Sequence, residues 1–141
     1  MLNTPFAPWP VFSDAEVEAV QRVLRSGEVN YWTGRQGRDF EHEFADWCGT
    51  RYAIAVANGT VALDLALHGL GIGAGDEVVV TPRTFMASAS CVVNAGATPV
   101  FADVEAATGN LTAATVEPAL TERTRAVIAV DQGGVPVDLD D

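Results

Sequence analysis

The 141 residues suffice for one domain with its own core, and almost half of them are apolar. A net charge of -11 excludes the basic stripe of a nucleic-acid binder, and no apolar run is long and uncharged enough to cross a bilayer. All eight basic residues are arginines, so a mechanism that needs a lysine amine cannot run on this chain alone.

Residues 1–12 carry Pro5, Pro8 and Pro10 among Phe6, Trp9 and Phe12, which predicts an extended arm. The start has neither the basic end nor the apolar stretch of a signal peptide. Ser13-Asp14-Ala15-Glu16 reads as a capping box opening a helix with Val17, Val20, Val23 and Leu24 on one face and Gly27 as its stop. Asn30-Tyr31-Trp32-Thr33-Gly34 reads as a loop. A second helix is expected from about 37 to 47, with Phe40, Phe44 and Trp47 on one face. His42 lies among Glu41, Glu43 and Asp46 and reads as a solvated residue.

From residue 52 the pattern alternates. Short β-branched runs at 52–57, 78–81, 99–102 and 126–130 read as strands, and 61–70, 85–94 and 113–120 read as helices, with Thr112 as an N-cap. Strands without polar alternation, separated by helices, imply a sheet covered on both faces, hence an α/β fold. Asp64 and His68, four apart, should share a helix face, a surface pair being the commoner reading. Cys48 and Cys91 lack CxxC or His spacing and read as buried free thiols of a reducing cytoplasm; no metal site is expected. The glycines Gly69, Gly71, Gly73 and Gly75 follow a helix and precede a strand, the reverse of a dinucleotide-binding fingerprint.

The chemistry concentrates at Ala57-Asn58-Gly59-Thr60-Val61-Ala62-Leu63. Glycine and a hydroxyl residue at a strand-to-helix turn leave backbone N–H groups at the positive end of the helix, which suits a phosphate. A plain turn and helix cap is the competing reading.

That stretch, followed by Leu70-Gly71-Ile72-Gly73-Ala74-Gly75-Asp76-Glu77-Val78, Pro82-Arg83-Thr84-Phe85, Ala95-Gly96-Ala97-Thr98-Pro99-Val100-Phe101-Ala102-Asp103-Val104 and Thr121-Glu122-Arg123-Thr124-Arg125-Ala126-Val127, resembles the DegT/StrS-type nucleotide-sugar aminotransferases. The resemblance implies the three-layer α/β/α large domain of pyridoxal-phosphate-dependent fold type I, incomplete here over 51–141, with residues 1–50 as an N-terminal arm and two helices. It implies that Asn58, Gly59 and Thr60 hold the phosphate of pyridoxal 5'-phosphate and that Phe85 stacks on its ring. Trp32 and Thr33, in what looks like the family's N-terminal loop, would line the substrate site. A nucleotide-sugar substrate, an amino-acid donor, a homodimeric parent and a cytoplasmic location follow from the same resemblance.

Two departures stand out. Asp131 takes the place of a histidine usual in the family. The family's lysine has no counterpart, nor does any of Asp103, Asp131, Asp138, Asp140 and Asp141 match its pyridine-partner motif. The chain therefore reads as an N-terminal fragment, inactive alone, of such an enzyme. A non-catalytic half-domain is one alternative, and a sugar dehydratase of the same superfamily ranks below it.

Overall fold

A computed structural model describes residues 9–140, which fall into two compact units, 9–55 and 56–140; residues 1–8 of the expected arm lie outside the described residues.

The first unit holds helices α1 (Asp14–Ser26) and α2 (Gln36–Cys48). The predicted capping box is formed: the Glu16 amide donates to Ser13 Oγ (3.3 Å) and the Ser13 amide to Glu16 Oε2 (2.7 Å). Two N–H···O contacts satisfy groups the helix start would otherwise leave unpaired. The Ser13 amide, and then the Ser13 hydroxyl, donate to the Glu16 carboxylate and hold its pKa below the ordinary value. Gly27, at φ 74, closes α1 in the left-handed conformation that a side chain would resist. Cys48, expected to be buried, is exposed at the last position of α2.

The second unit is built on a three-stranded parallel sheet: β1 (Glu77–Val80), β2 (Thr98–Phe101) and β3 (Thr124–Ile128), in the order β2-β1-β3. The chain steps from β1 to β2 in one direction and then back across β1 to β3. Right-handed crossovers then put the two connecting helices on opposite faces. The packing agrees. Val78 joins Leu67, Ile72, Cys91, Val92 and Ala97 beneath α3 (Gly59–Gly69) and α4 (Ala87–Asn94). Val79, one residue on, joins Ala102 and Leu111 on the other face, beside α5 (Ala113–Val116). All four β1 residues are buried, which is why Val78, Val79 and Val80 read as a continuous apolar run after Glu77. Burial of each valine contributes about 2 kcal/mol. The outer strands are only partly covered.

Residues 52–57, expected to be a strand, carry no strand pairing in the structure. A strand exists only with a partner, and apolar composition cannot supply one. The helix expected over 113–120 divides into α5 and a 3-10 turn at Glu117–Ala119, where Pro118 has no amide hydrogen to continue the helix.

Charge is sorted along the sheet. At its amino edge, Glu77 is only 5% exposed and pairs with Arg123, while Thr121 Oγ1 donates to Glu77 Oε2 at 2.5 Å. A bulge between Glu77 and Val78 gives β3 one extra residue, Arg125, whose Nε lies 3.5 Å from Asp76.

Candidate functional site

Helix α3 begins at Asn58, whose Oδ1 accepts the Val61 N–H at 3.0 Å and whose carbonyl accepts the Ala62 N–H at 3.1 Å. The N–H groups of Gly59 and Thr60 have no acceptor among the described residues. A Cβ built on Gly59 would meet no atom within 4 Å, so nothing among the described residues crowds the Cα of this turn. This is the donor set a phosphate monoester requires, at the positive end of an 11-residue helix. Gly59 and Thr60, the expected cradle residues, stand at this helix start. Asn58 sits in it as the helix cap, with its side-chain oxygen committed to Val61.

Topology fixes what else lies there. Helix α3 ends seven residues before β1 starts, and α4 starts six residues after β1 ends. Both helices therefore run against the strands on one face, with their N-termini at the carboxyl edge of the sheet. In open α/β sheets that edge is where ligands bind. Phe85 is in the loop leaving β1 at this edge and is 76% exposed. Its helix begins later than the sequence suggested, at Ala87. Residues 81–86 form a turn in which the Arg83 amide donates to Thr81 Oγ1 (3.0 Å), and the Thr84 and Ser88 hydroxyls meet at 3.1 Å. Residues 131–134, the turn leaving β3, lie at the same edge.

Trp32 and Thr33 belong to the first unit. Asn30 Oδ1 accepts their amides at 2.9 and 3.1 Å, an Asx turn that leaves the indole 84% exposed against the edge of Tyr31. Below this loop the Glu41 carboxylate accepts the Ala55 N–H (2.8 Å) and the Tyr31 hydroxyl (2.9 Å). The Ala55 bond first, then that of Tyr31, lowers its pKa.

The remaining polar residues behave locally. His42 is exposed. Asp64 and His68 line one shallow groove with Ile72, Asn94 and Ala95, but Asp64 bonds Asn94 Nδ2 (3.3 Å) rather than His68. Burial, and then the charge of Asp64, raises the pKa of the Cys91 thiol. No group of three metal-ligating side chains occurs among the described residues, and no helix there is long and apolar enough to cross a membrane.

Sequence reasoning passed over two residues at the carboxyl edge. Arg83 lays its guanidinium against Gly109, and Asn110 bonds the turn after β3. The partners of Asn110 lie 22 to 26 positions away, so no local pattern could have marked it.

A parallel sheet with helices packed on both faces is the α/β fold of the pyridoxal-phosphate-dependent aminotransferases. The chain belongs to the DegT/DnrJ/EryC1/StrS aminotransferase family, whose sequence profile matches residues 10–141. That family is pyridoxal-phosphate-dependent. Among curated relatives, the chain is 42% identical over 137 residues to the spore coat polysaccharide biosynthesis protein SpsC of Bacillus subtilis, covering 96% of this chain and 35% of that protein. It is 40% identical to the L-glutamine:scyllo-inosose aminotransferase of Streptomyces griseus, covering 98% and 34%. Among solved structures it superposes on an aminotransferase from Psychrobacter cryohalolentis with a TM-score of 0.93 and 58% identity, over 96% of this chain and 34% of that one. The chain thus spans about a third of the length of the relatives it matches.

Proposed function

We propose that these residues are the phosphate-gripping part of an aminotransferase that moves an amino group, with glutamate as donor, onto a keto sugar carried on a nucleotide. The open Gly59 and Thr60 amides at the carboxyl edge carry the reading. In it, those amides and the Thr60 hydroxyl hold the phosphate. The exposed Phe85 ring covers one face of the pyridine and keeps water from it. Asn58 holds the helix start in shape. Trp32, presented by its Asx turn, and Thr33 serve the substrate side. When bound, the cofactor supplies the electron sink and carries the amino group from donor to acceptor.

The reactive lysine comes from outside these 141 residues, since none is present in them. The chain alone therefore binds the cofactor without turning over, and the working enzyme is a homodimer of the cytoplasm. The missing lysine equally supports a non-catalytic half-domain as the second reading.

Fluorescence titration with pyridoxal 5'-phosphate tests the assignment. Saturable binding is expected, weakened roughly tenfold by Thr60→Ala through loss of a hydrogen bond to a charged group. No saturable binding removes the cradle, and the same affinity in Thr60→Ala removes the hydroxyl from it. Adding glutamate and a keto nucleotide-sugar to an enzyme that joins these residues to a reactive lysine separates the two readings. Transfer supports the first, and its absence supports the half-domain.

A further inference from the structure

The turn after β2 is a self-contained bracket. The Glu105 N–H donates to the Asn110 carbonyl (2.9 Å) and the Gly109 N–H to the Glu105 carbonyl (2.8 Å), while Thr108 Oγ1 accepts the Asn110 N–H (3.2 Å). From this bracket the Asn110 side chain, 3% exposed, reaches the turn that leaves β3. Its Oδ1 accepts the Gln132 N–H (3.2 Å), and its Nδ2 donates to the carbonyls of Val135 (2.8 Å) and Pro136 (3.1 Å). Both ends of the carboxamide are used, and each bond spans more than twenty residues. The turn it grips in turn fixes Asp131, whose Oδ1 accepts the Val137 N–H at 2.9 Å. On the other side of the bracket, Gly109 lies under the Arg83 guanidinium, where a Cβ would collide. At φ 76 the position also favours glycine.

The loop that carries Arg83 and the turn that Asn110 grips leave β1 and β3, which are neighbours in the sheet, and both open at the edge that carries the Gly59–Thr60 amides. We infer that Asn110 is a positioning residue: through Gln132, Val135 and Pro136 it sets the turn that carries Asp131 against the place where the cofactor ring lies. This rests on the cofactor assignment above. The Asn110 carboxamide is committed to backbone groups at both ends. It acts by fixing the backbone around Asp131, and a polar side chain with 3% exposure, bonded at both ends, is suited to hold one geometry.

The test has two arms. In the 141-residue chain, amide hydrogen exchange of Gln132 and Val137 is compared between wild type, Asn110→Ala and Asn110→Asp. Asn110→Ala should unprotect both amides, whereas Asn110→Asp keeps the acceptor for Gln132 and restores that amide alone. In an enzyme joining these residues to a reactive lysine, Asn110→Ala should lower kcat roughly tenfold to a hundredfold. It should also alter the induced circular dichroism of the bound cofactor, while cofactor affinity and KM stay within about threefold, because the phosphate contacts are untouched.

Unchanged exchange, or unchanged kcat and dichroism despite lost protection, overturns the inference. Losses that merely follow the folded fraction at each temperature overturn it too. If Asn110→Ala does not fold, Asn110→Asp, which deletes both donor bonds, is read by the same measures. Thr60→Ala is the separate check on the underlying assignment: failure of the cradle shows in its cofactor affinity, failure of the bracket only in the Asn110 variants.

Discussion

The two units make opposite use of apolar residues. In Val56–Asp141 a four-residue strand is covered on both faces, and valine after valine disappears from solvent. In Met1–Ala55 the helices are just as amphipathic, yet Val17, Val20, Leu24, Phe40, Phe44 and Trp47 remain exposed and Ala45 is the one buried helical residue among those described. The aromatic row on α2 packs along its own helix, with Phe40, Phe44 and Trp47 ring centres 5.6 and 5.7 Å apart. Periodicity suffices to make a helix, but a core needs a second surface. The sheet supplies that surface in one unit, and the two helices do not supply it in the other.

The comparison is breakable by mutation, and all three tryptophans and both tyrosines lie in the first unit, so optical probes report on it alone, while Cys91 reports on the second. The largest expected effect is from Val79→Asp, which buries an unpaired carboxylate in the central strand and costs about 4 kcal/mol or more. Labelling of Cys91 by a thiol reagent, slow in the wild type, should then approach the rate of exposed Cys48. Slow labelling in the variant would show that the sheet is not the second unit's support.

Arg123→Ala should cost about 2 kcal/mol, read by urea denaturation, because it leaves the buried Glu77 carboxylate with Thr121 alone. The figure is held down by the solvent exposure of the arginine. Asn58→Ala removes the cap of α3 and should cost about 1 kcal/mol, which Asn58→Asp should largely restore.

The smallest effect belongs to the first unit. The Glu41 pKa is lowered in the folded state, so the stabilisation from its bonds to Ala55 and Tyr31 is full above the ordinary carboxylate pKa of 4.5 and fades as pH falls through the lowered value. Tryptophan-monitored melting should decline below about pH 4.5, and Glu41→Gln should reduce that decline. An acid dependence identical in the variant would assign it to other carboxyls.

How much was legible from the residues depended on how far each interaction reaches. Ser13 with Glu16, Thr112 with Thr115, and the stop at Gly27 were readable because each acts within four positions. The alternation of strands and helices was readable because both-face burial writes a continuous apolar run. The strand at 52–57 failed for the complementary reason: its composition is strand-like, but pairing is a property of two segments. Asn110 was silent because its meaning lies in three backbone groups more than twenty residues on. The free amides of Gly59 and Thr60 were readable as donors at a helix start, because a helix leaves its first N–H groups unpaired.

The alternation of Val78 and Val79 across β1 has a mechanical consequence. One ribbon serves as the shared wall of two compartments, so neither helical layer can peel away while the other stays intact. Softening on the α5 side is transmitted to the wall on which α3 rests, and with it to the first turn of that helix. Tolerance to change in this unit should accordingly be lowest along a single strand that touches no ligand itself.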